Sequence, residues 1–372
     1  MAGIYIHIPF CRRACHYCDF HFTTNLKNTK ALVDAIVKEI GIRKSYLKNE
    51  NISTIYFGGG TPSLLDPADI ALIIDEIRSH NQVDVHAEIT LEANPEDLKA
   101  EKLSGLRKIG INRLSLGTQS FIDSELTWMN RMHTSEQAKS VISQAQKEGF
   151  DNISIDLIFG LPDQTAEDWQ FNLDTAIGLN VQHISSYSLT VEPKTVLHNN
   201  ISKGLQSSPN EDAAANYLQM NMNQLPKAGF EHYEISNYAQ EGFISQHNSS
   251  YWKGVPYLGL GPSAHSFNGE SRQWNVRSNA AYMSKLNSNG SFFEVETLTE
   301  KDRLNELILT GLRTKWGIQK SDIEKVAPSS WSVIEKAAIT QTAGLLNINA
   351  QSIRLTPQGV LVADNLTSEL FF

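Results

Sequence analysis

Cysteine is nearly absent from this chain. Its 372 residues hold three, Cys11, Cys15 and Cys18, all within eight consecutive positions of the stretch IHIPFCRRACHYCDF. An odd count leaves one thiol over, and loops of two or three residues strain the bond, so disulfide pairing accounts poorly for the group. Long apolar runs are missing as well. No stretch approaches the ~20 residues that span a bilayer, and the N-terminus has no basic segment leading into an apolar run and a small-residue cleavage site. A cytoplasmic location is expected, where thiols stay reduced and open to metals. Positive charge is in deficit, with 32 Lys and Arg against 41 Asp and Glu and a formal charge of −9. That balance disfavours a nucleic-acid partner held mainly by phosphate contacts. Low-complexity segments and short-period repeats are lacking too.

What is present is an ordinary globular composition, 41% hydrophobic with 15 Phe, 11 Tyr and 6 Trp, enough to bury a large core in two or three domains. Six short β-branched or apolar runs, IYIHI, STIYF, AEITLEA, NRLSLG, NISIDLIFG and HISSYSL, alternate with helical patterns over roughly the first 190 residues. The alternation predicts βαβ units around a parallel sheet. Asp66 before Pro67 and Asn94 before Pro95 read as capped helix starts, and Ile73, Ile74 and Ile77 form an apolar face after the first. A closed eight-fold barrel needs about 250 residues, so six units predict an open (β/α)6 barrel with a lateral opening for a large flat substrate. A doubly wound sheet is the alternative that periodicity leaves standing.

After residue 236 the texture changes to Gly, Ser, Asn and aromatics with little helical period, and residues 237–298 are expected to be linking and binding loops. From Thr299 three helical segments, a hairpin in LLNINAQSIRLTPQG and a last helix capped by Thr356 and Pro357 predict a winged-helix-like domain over 299–372. Its third helical segment, SSWSVIEKAAITQTAGLL, carries only Glu335 and Lys336 as charges, which suits packing or a protein partner better than DNA.

Three clustered thiolates call for a soft metal. A structural zinc would recruit His7, His16 or His21 as fourth ligand. A four-iron cluster held by three thiolates would keep one iron open to a further ligand. The spacing C-x3-C-x2-C, with Tyr17 before the last cysteine, resembles the signature of the radical S-adenosylmethionine (SAM) superfamily. The resemblance implies a partial βα barrel and a [4Fe–4S] cluster on Cys11, Cys15 and Cys18, with SAM chelating the open iron and Tyr17 near the adenine. There the reduced cluster cleaves SAM to a 5′-deoxyadenosyl radical.

YFGGGTPS follows a strand. Read alone, it is a turn whose glycines need positive φ, without the lysine of a phosphate loop. The resemblance extends to the coproporphyrinogen-oxidase-like subgroup over essentially the whole chain. It implies SAM contacts from Gly59, Gly60 and Thr61, from Glu92, Gln119, Arg131 and Asp156, and from Tyr5 beside cluster and cofactor. Carboxylates suit ribose hydroxyls and an ammonium, and Arg131 suits a carboxylate. Oxygen-independent coproporphyrinogen III oxidases carry a further cysteine where this chain has Phe20, which argues against that decarboxylase activity. HNSSYW, residues 247–252, resembles the motif of the HemW-type haem chaperones instead. The likeness implies haem as ligand, with His247 as axial ligand and Tyr251 and Trp252 against the porphyrin. It also implies apo-haemoproteins as recipients, respiratory enzymes at the membrane among them, and a reductant such as flavodoxin. Read without the motif, His247 orders a turn and the two rings pack on the barrel.

Overall fold

Strict alternation in the first strand sets the architecture. Ile4, Ile6 and Ile8 are buried on one face while Tyr5 and His7 point to the other. The same period runs through β1 (Ala2–Ile8), β2 (Ile52–Gly59), β3 (Val83–Ala93), β4 (Arg113–Gln119), β5 (Ile153–Phe159) and β6 (His183–Ser188). These strands pair in sequence order and in parallel, with a helix after each. They are the six strands expected from the sequence, and the open barrel rather than the doubly wound order is the one found. Isoleucine and leucine of the outer face meet the helices. Ile70, Ile73, Ile74 and Ile77 of the helix Pro67–His80 are fully buried in that layer.

The inner face is polar. Register places Tyr5, Tyr56, Thr90 and Arg113 in one layer, and Ser115, Ser154 and His183 across the following strands. Arg113 is 1% exposed, and its Nε and Nη1 have no hydrogen-bond partner among the described residues. The barrel thus encloses groups that call for solvent or ligand, not an apolar plug.

The computed structural model describes residues 1–341 and 344–372. Residues 342 and 343, which the pattern assigns to the third C-terminal helix, lie outside the described residues. Two capping expectations change. The helix at Pro67 begins as expected, but the Asp66 side chain makes no cap bond. After Asn94 only one 3-10 turn, Pro95–Asp97, forms, and the asparagine side chain is used elsewhere.

Residues 237–298 are not irregular linkers. They contain β8 (Asn237–Ala239), which with β7 (Glu231–Glu234) extends the β6 edge antiparallel. They also contain β9 (Tyr257–Leu260), parallel to β1, and then β10 (His265–Phe267), β11 (Ser271–Asn275) and β12 (Phe293–Thr297) in antiparallel succession. The strands are too short, and too rich in Gly and Ser, to show a period. Their anchor is Glu39, fully buried on the helix Thr29–Arg43. It accepts from Gly261 N–H at 2.8 Å, from Asn275 Nδ2 at 2.8 Å and from the Tyr282 hydroxyl. Glu39→Ala would strand those donors in the interior, and a loss of about 3–5 kcal/mol is expected. Denaturant unfolding checks it, with Glu39→Gln, which keeps an acceptor, losing much less.

The C-terminal region builds its own core from Leu304, Ile308, Leu312, Ile323, Trp331 and Ile353. Thr299 caps the helix Glu300–Leu312 in a reciprocal box with Asp302. A small sheet of β13 (Ile318–Gln319), β14 (Leu346–Ile348) and β15 (Ser352–Leu355), in order 13-15-14, makes the wing. Backbone bonds Ile235 N–H to Arg313 O (3.0 Å) and Lys315 N–H to Tyr233 O (3.0 Å) tie it to the barrel. Among the described residues no helix is long and apolar enough to cross a membrane.

Candidate cluster and cofactor site

The loop after β1 carries the three cysteines, free and half-buried, and the ends of β2, β3 and β4 close in on it. Burial pushes the Cys11 thiol up to about 11 and the Cys18 thiol up to about 12, so metal-free both are protonated at neutral pH. Donors nevertheless already face the sulfurs. Thr61 Oγ1 donates to Cys11 Sγ at 3.3 Å, and Arg131 Nη1 donates to Cys15 Sγ at 3.4 Å. Asn94 joins these two residues: its amide donates to Thr61 Oγ1 at 3.3 Å and its Oδ1 accepts from Arg131 Nη2 at 2.6 Å. A continuous polar belt, Cys11–Thr61–Asn94–Arg131–Cys15, therefore links the cysteine loop to the strand ends. Arg131 also donates to Gly117 O at 2.7 Å, and its Nε stays buried and unpaired. Hydrogen bonds to sulfur favour the thiolate, which is the ligating form. The donor set fits an anionic iron–sulfur cluster.

The nearby histidines are committed elsewhere. His7 accepts the Tyr5 hydroxyl at Nδ1 (3.1 Å) and donates from Nε2 to His21 O (2.9 Å). His16 donates to Trp128 O (2.8 Å), and His21 Nε2 donates to Asn279 Oδ1 (2.8 Å). Of the three, His7 has both ring nitrogens engaged, whereas His16 and His21 each use one. Among the described residues no group of three or more His, Cys, Asp and Glu is disposed to hold a single metal ion. A four-iron cluster asks for a different arrangement, since each thiolate takes a separate iron.

Beside the belt, Glu92 accepts from the Tyr56 hydroxyl at 2.8 Å and from Gly59 N–H at 3.2 Å. Burial, reinforced by Asp156, lifts its carboxyl to about 7. Burial also lifts Asp156 to about 6, although Ser115 donates to it at 3.4 Å. Both carboxyls wait near their midpoints for a donor that would hold them ionised. Gln119 adopts φ +68, a left-handed backbone rare outside glycine and concentrated at functional sites. A Cβ on Gly117 would come within 3.0 Å of Gln119 Nε2, 3.1 Å of Arg131 and 3.2 Å of Asn94, so the three side chains crowd one point. Tyr17 is tucked beside Cys15, Cys18 and Arg131, its ring against the small apolar cluster of Leu126, Met129 and Leu161.

The glycines serve the chain itself. A Cβ on Gly59, at φ +108, would lie 2.5 Å from His7 Nδ1, and one on Gly60 would lie 2.7 Å from Phe10 O. Gly59 has the positive φ of the turn reading, while Gly60 is required by close backbone approach alone.

HNSSYW lies apart from the thiols, on the helix Gln246–Trp252. His247 is 1% exposed. Its Nδ1 bonds Thr54 Oγ1 at 2.8 Å, its Nε2 bonds the Tyr251 hydroxyl at 2.9 Å, and its ring stacks on Tyr56 at 4.9 Å. Burial beside Arg113 depresses it to about 3. Both ring nitrogens are engaged in this placement, and the ring bridges the helix to Thr54 of β2 and to Tyr251, where a turn-ordering role was the alternative. Trp252 faces Arg313 of the C-terminal region, 5.6 Å from guanidinium to ring, and not an open cleft. Of the three motif residues, Tyr251 is the one that borders a cavity. It lines a cavity of about 490 Å³ with Tyr5, His7, His21, His265 and Trp274. A second cavity of about 500 Å³, lined by Cys15, Cys18 and Lys194, adjoins it, the two sharing Asp19, Phe20 and Arg277. Phe20, 67% exposed, stands between them. The belt role of Asn94 and the buried anchor Glu39 were not foreseen from sequence.

A six-unit partial barrel with three thiols in the loop after its first strand is the arrangement of a radical SAM protein, and residues 5–176 match the radical SAM superfamily. Residues 298–362 match the HemN C-terminal domain. The "Heme chaperone HemW" of Bacillus subtilis (strain 168) is 34% identical over 371 residues, 98% of each chain. That of Lactococcus lactis is 34% identical over 97% of this chain and 95% of its own. The mitochondrial "Radical S-adenosyl methionine domain-containing protein 1" of Bos taurus is 31% identical over 99% and 87%. The chain belongs to the HemW family. Coproporphyrinogen III oxidase (HemN) from Escherichia coli shares the fold, at TM-score 0.85 and 24% identity over 100% of this chain and 90% of that one. Superfamily membership implies a [4Fe–4S] cluster and SAM.

Proposed function

We propose that this protein carries haem, holding it in the paired cavities next to a [4Fe–4S] cluster on Cys11, Cys15 and Cys18, and hands it to apo-haemoproteins. Respiratory enzymes at the membrane are among the recipients, and a flavodoxin-type protein supplies electrons. The observation that supports the reading is the cleft itself: two adjoining cavities that run from Cys15 and Cys18 past Phe20 to an aromatic wall. Each falls within the roughly 300–1,000 Å³ typical of ligand sites. The family name adds haem as cargo.

Within that reading, Thr61 and Arg131 hold the thiolates by donating to sulfur. Glu92 and Asp156 accept from the polar groups of SAM, and Gln119 contributes from beside Arg131 and Asn94. The reduced cluster supplies the electron for SAM cleavage. His247 keeps Tyr251 oriented on the cavity floor.

The test is a haemin titration of anaerobically reconstituted protein, followed by transfer to apomyoglobin, beside a coproporphyrinogen III turnover assay. Stoichiometric haem uptake and release is expected, with no decarboxylated product. Product at enzymatic rate without haem uptake would replace this reading by the oxidase activity.

A further inference from the structure

Of the histidines that line the aromatic cavity, only His265 has a ring without a hydrogen-bond partner among the described residues. His7 uses both nitrogens, and His21 gives Nε2 to Asn279. His265 sits on β10, opposite Trp274 of β11 in an antiparallel pair, so both side chains stand on one face of the sheet. Their rings lie 6.2 Å apart, tilted by 32°. Arg277 follows at the shared mouth, an exposed cation with no ion pair among the described residues, while Asp19 faces it from the cysteine loop. Glu39, through Asn275 and Gly261, fixes the strands that carry this wall.

We propose that His265, not His247, is the protein's axial ligand to haem iron, with the edge of Trp274 against the macrocycle and a propionate paired with Arg277. The inference rests on the haem-carrier reading. Each part follows from ordinary ligand chemistry: an imidazole nitrogen binds ferric or ferrous haem, an indole 32° from parallel with that imidazole meets the macrocycle edge-on, a favourable aromatic geometry, and a guanidinium matches a carboxylate. The Thr54 and Tyr251 bonds that occupy His247 make it the less available imidazole by two hydrogen bonds. Phe20 separates the macrocycle from Cys15 and Cys18, so a thiolate does not compete for the same face of the iron.

Haemin titration of the reconstituted full chain, followed by Soret position, low-temperature EPR and dissociation constant, tests it. For His265→Ala the expected result is a shifted Soret band and a loss of affinity on the order of tenfold or more. Added imidazole should restore the wild-type spectrum. Arg277→Gln should weaken binding with the axial spectrum kept. A His265→Ala protein with unchanged spectrum and affinity overturns the assignment. So does a folded His247→Ala protein that alone changes the spectrum. Wild-type protein that takes up no haem removes the carrier reading itself, which a wild-type control separates from failure of the ligand.

Discussion

Cys15→Ser is expected to lose the iron and labile sulfide that the reconstituted wild-type chain holds, while keeping its far-ultraviolet circular dichroism and melting temperature. The effect on the cluster is large because nothing else nearby can take the place of the sulfur. His7 has both ring nitrogens engaged, His16 and His21 are each held through one, and a serine oxygen is a hard, poor ligand for iron. The fold survives because the cysteines form no disulfide and lie outside the main core. Serine can still accept the Arg131 bond that Cys15 receives. Iron and sulfide analysis with visible absorption settles the outcome. Full iron content in the variant would end the assignment, and so would a colourless wild-type protein containing one zinc. Loading should also quicken as pH rises, since the Cys11 and Cys18 thiols sit near 11 and 12 before metal arrives and must release their protons.

Glu92→Gln is the second large effect, and it cuts in opposite directions for binding and for stability. A carboxylate that accepts from a cationic or hydroxyl donor of SAM contributes about 1.5–3 kcal/mol, so SAM affinity should fall roughly ten- to a hundredfold. The unliganded protein should respond differently. Folded Glu92 titrates near 7 against an ordinary 4.5, so the folded chain holds the proton more tightly than the unfolded one. Its contribution is complete below the ordinary value and is lost as pH rises through about 7, by roughly 2–3 kcal/mol. Glutamine removes that slope. It keeps one acceptor for the Tyr56 hydroxyl and loses the Gly59 bond, worth about 1 kcal/mol. At pH 8 the SAM-free variant should melt no lower than wild type while isothermal titration shows little SAM uptake. Unchanged SAM affinity would take Glu92 out of the cofactor site.

The fold was legible where local signals repeat. Tyr5 between Ile4 and Ile6, or Glu92 between Leu91 and Ala93, announces a strand with one apolar and one polar face, and six such strands in succession announce the barrel. The cysteine loop was legible because its spacing is itself the signal. Asn94 was not, since before a proline it reads as a helix cap. Its bonds to Thr61 and Arg131 exist only because three strand ends converge. Glu39 reads as a surface acid on an amphipathic helix until β9 to β11 arrive to bury it. The strands that carry His265 and Trp274 went unread for the same reason, being only three to five residues long. His247 shows the converse: the motif is plain in the sequence, but the Thr54 and Tyr251 bonds that occupy its ring come from tertiary packing that the motif does not announce.

The belt through Thr61, Asn94 and Arg131 fastens the cysteine loop to the barrel through side chains alone. The separation of Cys11 and Cys15 is thus governed from a distance in the chain, and a change at Asn94, which touches neither sulfur, would slacken the grip on both at once.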